Sequence, residues 1–144
     1  MLREIRNVRQ VPGEHKRRWF TSDTMDLIVW IDESNHPAQL QLCYDKGRRR
    51  AERALTWKRG VGYTHTAVDD GENGGRYKST PILVVDGSFN AARVVDLFKN
   101  GSVHLPSDIV RFVTSKIQEF QNGMAHMSLP SLTSNTIAPF DQSI

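Results

Sequence analysis

One cysteine, Cys43, stands in 144 residues. No intramolecular disulfide can form, and a reducing compartment is the natural setting. Long apolar runs are missing too. The longest, "LIVWI" and "PILVV", fall far short of the ~20 residues that span a bilayer, so no membrane partner is expected. The opening "MLREIRNVRQ" spaces arginines through its apolar residues. It has no apolar h-region, so no secretory signal is read there and a cytoplasmic location is expected. No catalytic or cofactor fingerprint appears either. No catalytic residue, metal ligand or cofactor is therefore expected.

What is present describes an ordinary globule. Hydrophobic residues make up 38% and charged residues 24%, enough apolar surface to exclude a disordered chain. The length suits one domain with its own core. The net charge of +3 permits weak attraction to polyanions without demanding it. It is unevenly spread. "KGRRRAERALTWKRG", residues 46 to 60, holds seven cationic side chains against Glu52 alone, which leaves the remainder of the chain net acidic.

The first two-thirds read as strands. "EIRNVRQV" ends at Pro12-Gly13, a turn signal, although Leu2, Ile5 and Val8 would also fit a short helix; "KRRWFTS" follows. "DLIVWID" is apolar on both faces, with Leu27, Val29 and Ile31 on one side and Ile28 and Trp30 on the other, the pattern of a central strand covered twice. "AQLQLCYD" alternates as a half-buried antiparallel strand. "RALTWKR" and "YTHTAVD" are rich in strand formers. One strand from Arg53 to Asp69 would run roughly 55 Å, so the "GVG" between them marks a hairpin or bulge. "DDGENGG" is a surface loop, and "TPILVV" a last short strand.

From Asp86 the period changes. Ala91, Val94, Val95 and Phe98 form one helical stripe, and Asn100-Gly101 supplies a left-handed stop. A second helix starts near Pro106-Ser107-Asp108, buries Ile109, Phe112, Val113, Ile117 and Phe120, and ends at Gly123. Its opposite side would expose Asp108, Arg111, Lys116 and Glu119. That surface is neutral, and the connection before it is long, which excludes a DNA-reading helix-turn-helix. The expected fold is α+β: an antiparallel β-meander of about six strands, then two C-terminal helices packed on the sheet. Residues 1 to 123 form the single domain, and residues 124 to 144 a flexible or loosely docked tail.

Two groups of residues invite chemistry. Arg48, Arg49, Arg50, Arg53, Lys58 and Arg59 have the guanidinium density that matches phosphate, with Trp57 and Tyr63 near enough to stack on unpaired bases. The competing reading is a charged turn that blocks edge-to-edge pairing. The second group is Tyr63, His65 and Asp69, which share one strand face. They could poise a base or hold a metal only if a bend closed the ~13 Å from His65 to Asp69, with His36 or Asp45 as a further ligand. Cys43 would be a nucleophile only if His65 reached it across the sheet; a lone strand cysteine is ordinarily a small buried hydrophobe. "GENGGRYKST" fails as a phosphate loop, since Tyr77 precedes Lys78 and a strand follows.

"RRWFTSDTMDLIVWID", "LQLCYDKG", "RALTW" and "VDDGE" together resemble a family of short, uncharacterised bacterial proteins over approximately residues 3 to 120. The resemblance implies a bacterial cytoplasmic setting and brings no activity, cofactor or site residue. The sequence thus points to a small binding or interaction module for an anionic ligand or nucleic acid through its basic turn. The alternative is a metal-dependent or hydrolytic enzyme using His65 and Asp69. A homodimer is the remaining expectation, built on sheet edges or on Leu129, Leu132, Ile137 and Phe140 of the tail.

Overall fold

Alternation along the strands decides the layers. Met25, Leu27 and Val29 recur at every second position, as do Ala38, Leu40, Leu42 and Tyr44, and all are buried. A computed structural model of the chain describes residues 1–48, 51–67 and 89–126. It contains β1 (Arg3–Glu4), β2 (Lys16–Thr21), β3 (Met25–Ile31), β4 (Pro37–Tyr44), β5 (Arg53–Lys58) and β6 (Gly62–Ala67), then α1 (Ala91–Gly101) and α2 (Ser107–His126). The strands make one antiparallel sheet in sequence order, followed by the two helices. This is the α+β meander that the sequence predicts.

Register sorts the side chains into rows across the sheet. Phe20, Leu27, Leu42, Leu55 and His65 are successive cross-strand partners, and so are Arg18, Val29, Leu40, Trp57 and Tyr63. Both rows face the helices. Phe112 meets Trp57 edge-on at 5.7 Å, and Phe120 lies 5.5 Å from Tyr63. The predicted stripe Ala91, Val94, Val95 and Phe98 is buried, as are Ile109, Phe112, Val113 and Ile117. Each large apolar side chain enclosed in this way contributes about 1.5–3 kcal/mol.

Several expectations are corrected. "EIRNVRQV" is no full strand: only Arg3 and Glu4 pair with β2, at Thr21 and Phe20. Beyond Ile5, whose N–H reaches the Trp19 carbonyl at 2.8 Å, Asn7 takes φ 59° and turns the chain away. The side chain of Gln10 then stands in for the missing strand. Its Oε1 accepts from the Arg17 N–H at 2.8 Å, and its Nε2 donates to the Arg17 carbonyl at 3.1 Å. Among the described residues β3 is covered once: both helices lie on the Leu27 face, and Ile28 and Trp30 are half-buried on the other. Lys116 is not exposed. It is 4% accessible within the apolar stripe of α2, its Nζ 4.1 Å above the Trp57 ring and 3.2 Å from Glu119.

The helix ends differ as well. Asn90 caps α1, accepting from the Arg93 N–H at 3.1 Å. Gly101 does not adopt the left-handed stop; among the described residues the positive-φ glycines are 13, 47, 60 and 62. Ser102 closes the helix through the Lys99 carbonyl, and the Gly101 carbonyl instead accepts the Leu2 N–H at 2.7 Å. That bond ties the amino-terminal segment to the helix end and places Leu2 in the core. Between β5 and β6 the glycines do mark a hairpin. Val61 N–H bonds the Lys58 carbonyl at 3.0 Å, with Gly60 at φ 81° in the position where a type II turn requires it. "TPILVV", the "DDGENGG" loop and the tail from residue 127 lie outside the described residues.

Gly123 does not end α2, which runs on to His126. A glycine inside a helix costs stability but does not stop it. Its φ is not positive, and a Cβ there would meet nothing within 4 Å. Gly123→Ala is therefore expected to stabilise the protein by about 0.3–1 kcal/mol in urea unfolding. Destabilisation would show that position 123 is a true helix stop.

Candidate functional site

The helix face of β5 and β6 carries the residues that the sequence singled out for chemistry. Tyr63 donates its hydroxyl hydrogen to Glu119 Oε1 at 2.5 Å, and Lys116 donates to the same oxygen at 3.2 Å. Burial, then the Glu119 carboxylate, push the Tyr63 phenol far above its ordinary range, so it serves as a donor and not as a base. His65 is 3% exposed. It stacks parallel to Tyr44 at 5.9 Å and meets Phe89 and Phe120 at 5.0 and 5.6 Å. The Tyr44 hydroxyl lies 2.6 Å from His65 Nε2, and burial pushes the Tyr44 phenol up to about 12.

Tyr63 and His65 do share a face, as their spacing implies. Asp69 lies outside the described residues. The expected further ligands are apart: His36 precedes β4, and Asp45 follows its other end, where Arg93 of α1 holds it at 2.7 and 3.1 Å. Among the described residues no group of three His, Cys, Asp or Glu side chains could hold a metal ion. Cys43 alternates with Leu42 and Tyr44 and so faces away from His65, across the sheet. Burial pushes its thiol up to about 11. It is a buried small side chain, not an activated nucleophile.

The basic stretch does not converge on one surface. Lys46 and Arg48 sit in the β4–β5 turn, while Lys58 and Arg59 sit about 17 Å away, five strand residues on. Lys46 pairs with Asp26 at 3.1 Å, and Arg59 with Asp32 at 2.8 Å. Arg53 lies on the helix face of β5 and Lys58 on the other. Arg48 is exposed; Arg49 and Arg50 lie outside the described residues. Trp57 is core, packed under Lys116 and Phe112.

The sheet face that carries no helix among the described residues has a different composition. One row runs Arg17, Trp30, Gln39, Lys58; the next runs Trp19, Ile28, Gln41, Thr56, Thr64. Trp19 and Trp30 are diagonal neighbours on adjacent strands, a spacing of about 7–8 Å, and both are half-buried. Cations flank them: Arg17 on β2, and Lys58 on β5, which is exposed and has no ion pair among the described residues. Gln39, Gln41, Thr56 and Thr64 supply both donors and acceptors across the middle.

Along the outer edge of β2 runs a groove of about 660 Å³ between that strand and the segment from Glu4 to Gln10. Arg6, Lys16, Arg17 and Arg18 line it, with Asn7 and Gln10. Neither these residues nor Trp19 and Trp30 are among the sites expected from sequence. A signal for them exists: residues 1 to 18 hold six cationic and two acidic side chains. Only the folding of that segment back on β2 turns the excess charge into a groove. Among the described residues no helix is long and apolar enough to cross a membrane. No family model, no curated protein and no solved structure matches the chain.

Asp32 fixes the β3–β4 turn and ties it to Arg59, next to Lys58. It accepts the backbone N–H groups of Ser34 and His36, both at 2.9 Å, and the Arg59 guanidinium. The His36 N–H first, then Arg59, hold its carboxyl down at about 2. A carboxyl depressed in the folded state stabilises above its unfolded value near 4 and loses that effect as pH falls to about 2. Asp32→Asn is thus expected to lower stability at pH 7, with the gap to the parent shrinking toward pH 2. A gap constant across that range, measured by denaturant unfolding, would contradict this.

Proposed function

We propose that the protein is a binding module whose sheet face opposite α1 and α2 takes single-stranded nucleic acid. The observation that carries this reading is the presentation of Trp19 and Trp30 side by side between Arg17 and Lys58. Unpaired bases have apolar faces that stack on indole rings, and their phosphates require cations at the margins of the same surface. Amides and hydroxyls between the two can bond base edges without imposing a sequence. The anionic partner expected from composition is retained, but its contact surface moves from the basic turn to the open sheet. A duplex fits less well, because its bases are stacked on one another and unavailable to the rings.

Titration with short single-stranded RNA and DNA, followed by tryptophan fluorescence across a salt series, tests the reading. Binding should quench the open-face indoles and weaken steadily with salt. Trp30→Ala and Trp19→Ala should each weaken it about fivefold or more, since one base–aromatic stack is worth ~1–3 kcal/mol. Replacing Arg48, Arg49 and Arg50 together by alanine should lower affinity modestly and uniformly and leave the quenching intact. No binding at low salt, or equal binding by the folded tryptophan variants, overturns the proposal.

A further inference from the structure

The groove at the β2 edge has a charge arrangement that the open face alone does not require. Its one acid, Glu4, is already matched: Arg18 reaches both carboxylate oxygens at 2.8 Å, which lowers the Glu4 pKa. Arg6, Lys16 and Arg17 line the same groove and have no ion pair among the described residues. Three cations therefore gather around a space with no acid left to balance them.

Arg17 adds an independent sign. Its terminal nitrogen donates to the Arg9 carbonyl, which holds the side chain in place. Its Nε–H is shielded from solvent and has no acceptor among the described residues. A buried charged donor left unmade is costly, and turning the guanidinium toward the groove would let an oxygen-rich anion there supply the acceptor. Asn7 adds a neutral amide to the lining.

We propose that this groove is a phosphate monoester subsite held by Arg6, Lys16 and Arg17. Three unmatched cations favour a group of nearly two negative charges, as a terminal phosphate carries at pH 7, over a singly charged phosphodiester. Guanidinium groups also match phosphate oxygens in pairs. Arg17 lies both in the groove and in the Trp30 row of the open face. A strand lying on Trp19 and Trp30 would thus bring its terminal phosphate to the sheet edge. That assignment of the monoester to a strand end rests on the proposed function; the anion site itself does not.

The experiment has two arms. In the first, inorganic phosphate is added to the full chain in a thermal-shift measurement, against chloride at matched ionic strength. Phosphate should raise the melting temperature, and the double variant Arg6→Gln, Lys16→Gln, two exposed positions away from the core, should abolish that rise. In the second, oligonucleotides of one sequence are compared with and without a terminal phosphate. The phosphorylated strand should bind about tenfold tighter, and in the double variant the ratio should fall to about one.

A phosphate-specific rise with no binding of any strand supports the groove and overturns the reading of the open face. Strand binding with no terminal-phosphate preference and no thermal shift overturns the groove and leaves the open face standing. A preference that persists in the double variant also overturns the groove assignment.

Discussion

A single row of side chains, Phe20, Leu27, Leu42 and Leu55, constrains most of the architecture. All four are at most 1% exposed, on four neighbouring strands. A slip of one residue in any pairing would turn its leucines to the far side of the sheet, so burial fixes the register. With the register fixed, the two helices have one apolar surface on which to pack. The opposite face is then left with what alternates against the core: Trp19, Ile28 and Trp30, between Arg17 and Lys58.

Among the described residues the interior accepts one lysine, and this decides the roles of several aromatic residues. Lys116 lies among the buried positions of α2, yet its ammonium group meets the face of Trp57 and the carboxylate of Glu119. An indole face and a partner carboxylate together offset much of the cost of desolvating the charge. Tyr63 completes the group by donating to Glu119. Trp57 and Tyr63 are therefore structural, and neither is available to a ligand on the open face. His65 is likewise enclosed by Tyr44, Phe89 and Phe120.

The outer edge of β2 is handled differently. A long first strand would have continued the sheet, but the arginines at 3, 6 and 9 have no place in a second apolar row. The chain instead pairs for two residues, turns at Asn7, and lets the Gln10 amide satisfy the Arg17 backbone. This protects the edge from pairing with another chain. It also leaves space beside β2, and that space is the cationic groove.

The alternation of "MDLIVWI" and "PAQLQLCY" and the three-and-four spacing of "AARVVDLF" made the meander, the two helices and most of the core legible, because burial of alternate residues is a local property of the pattern. The hairpin at Gly60 was legible for a similar reason, since strand length is bounded. The site was not. Whether Trp30 meets a helix or an open face depends on which side of the sheet the helices choose. Whether Lys116 is buried depends on Trp57, 59 residues earlier. The basic segment at 46 to 60 looked like one feature, but a strand runs through its middle and carries its charges to opposite ends and faces. Sequence determined the elements and their apolar faces through short-range periodicity. Only the tertiary structure decided which face the two helices cover and which cations share a surface, because both depend on residues that pairing and packing bring together from distant parts of the chain.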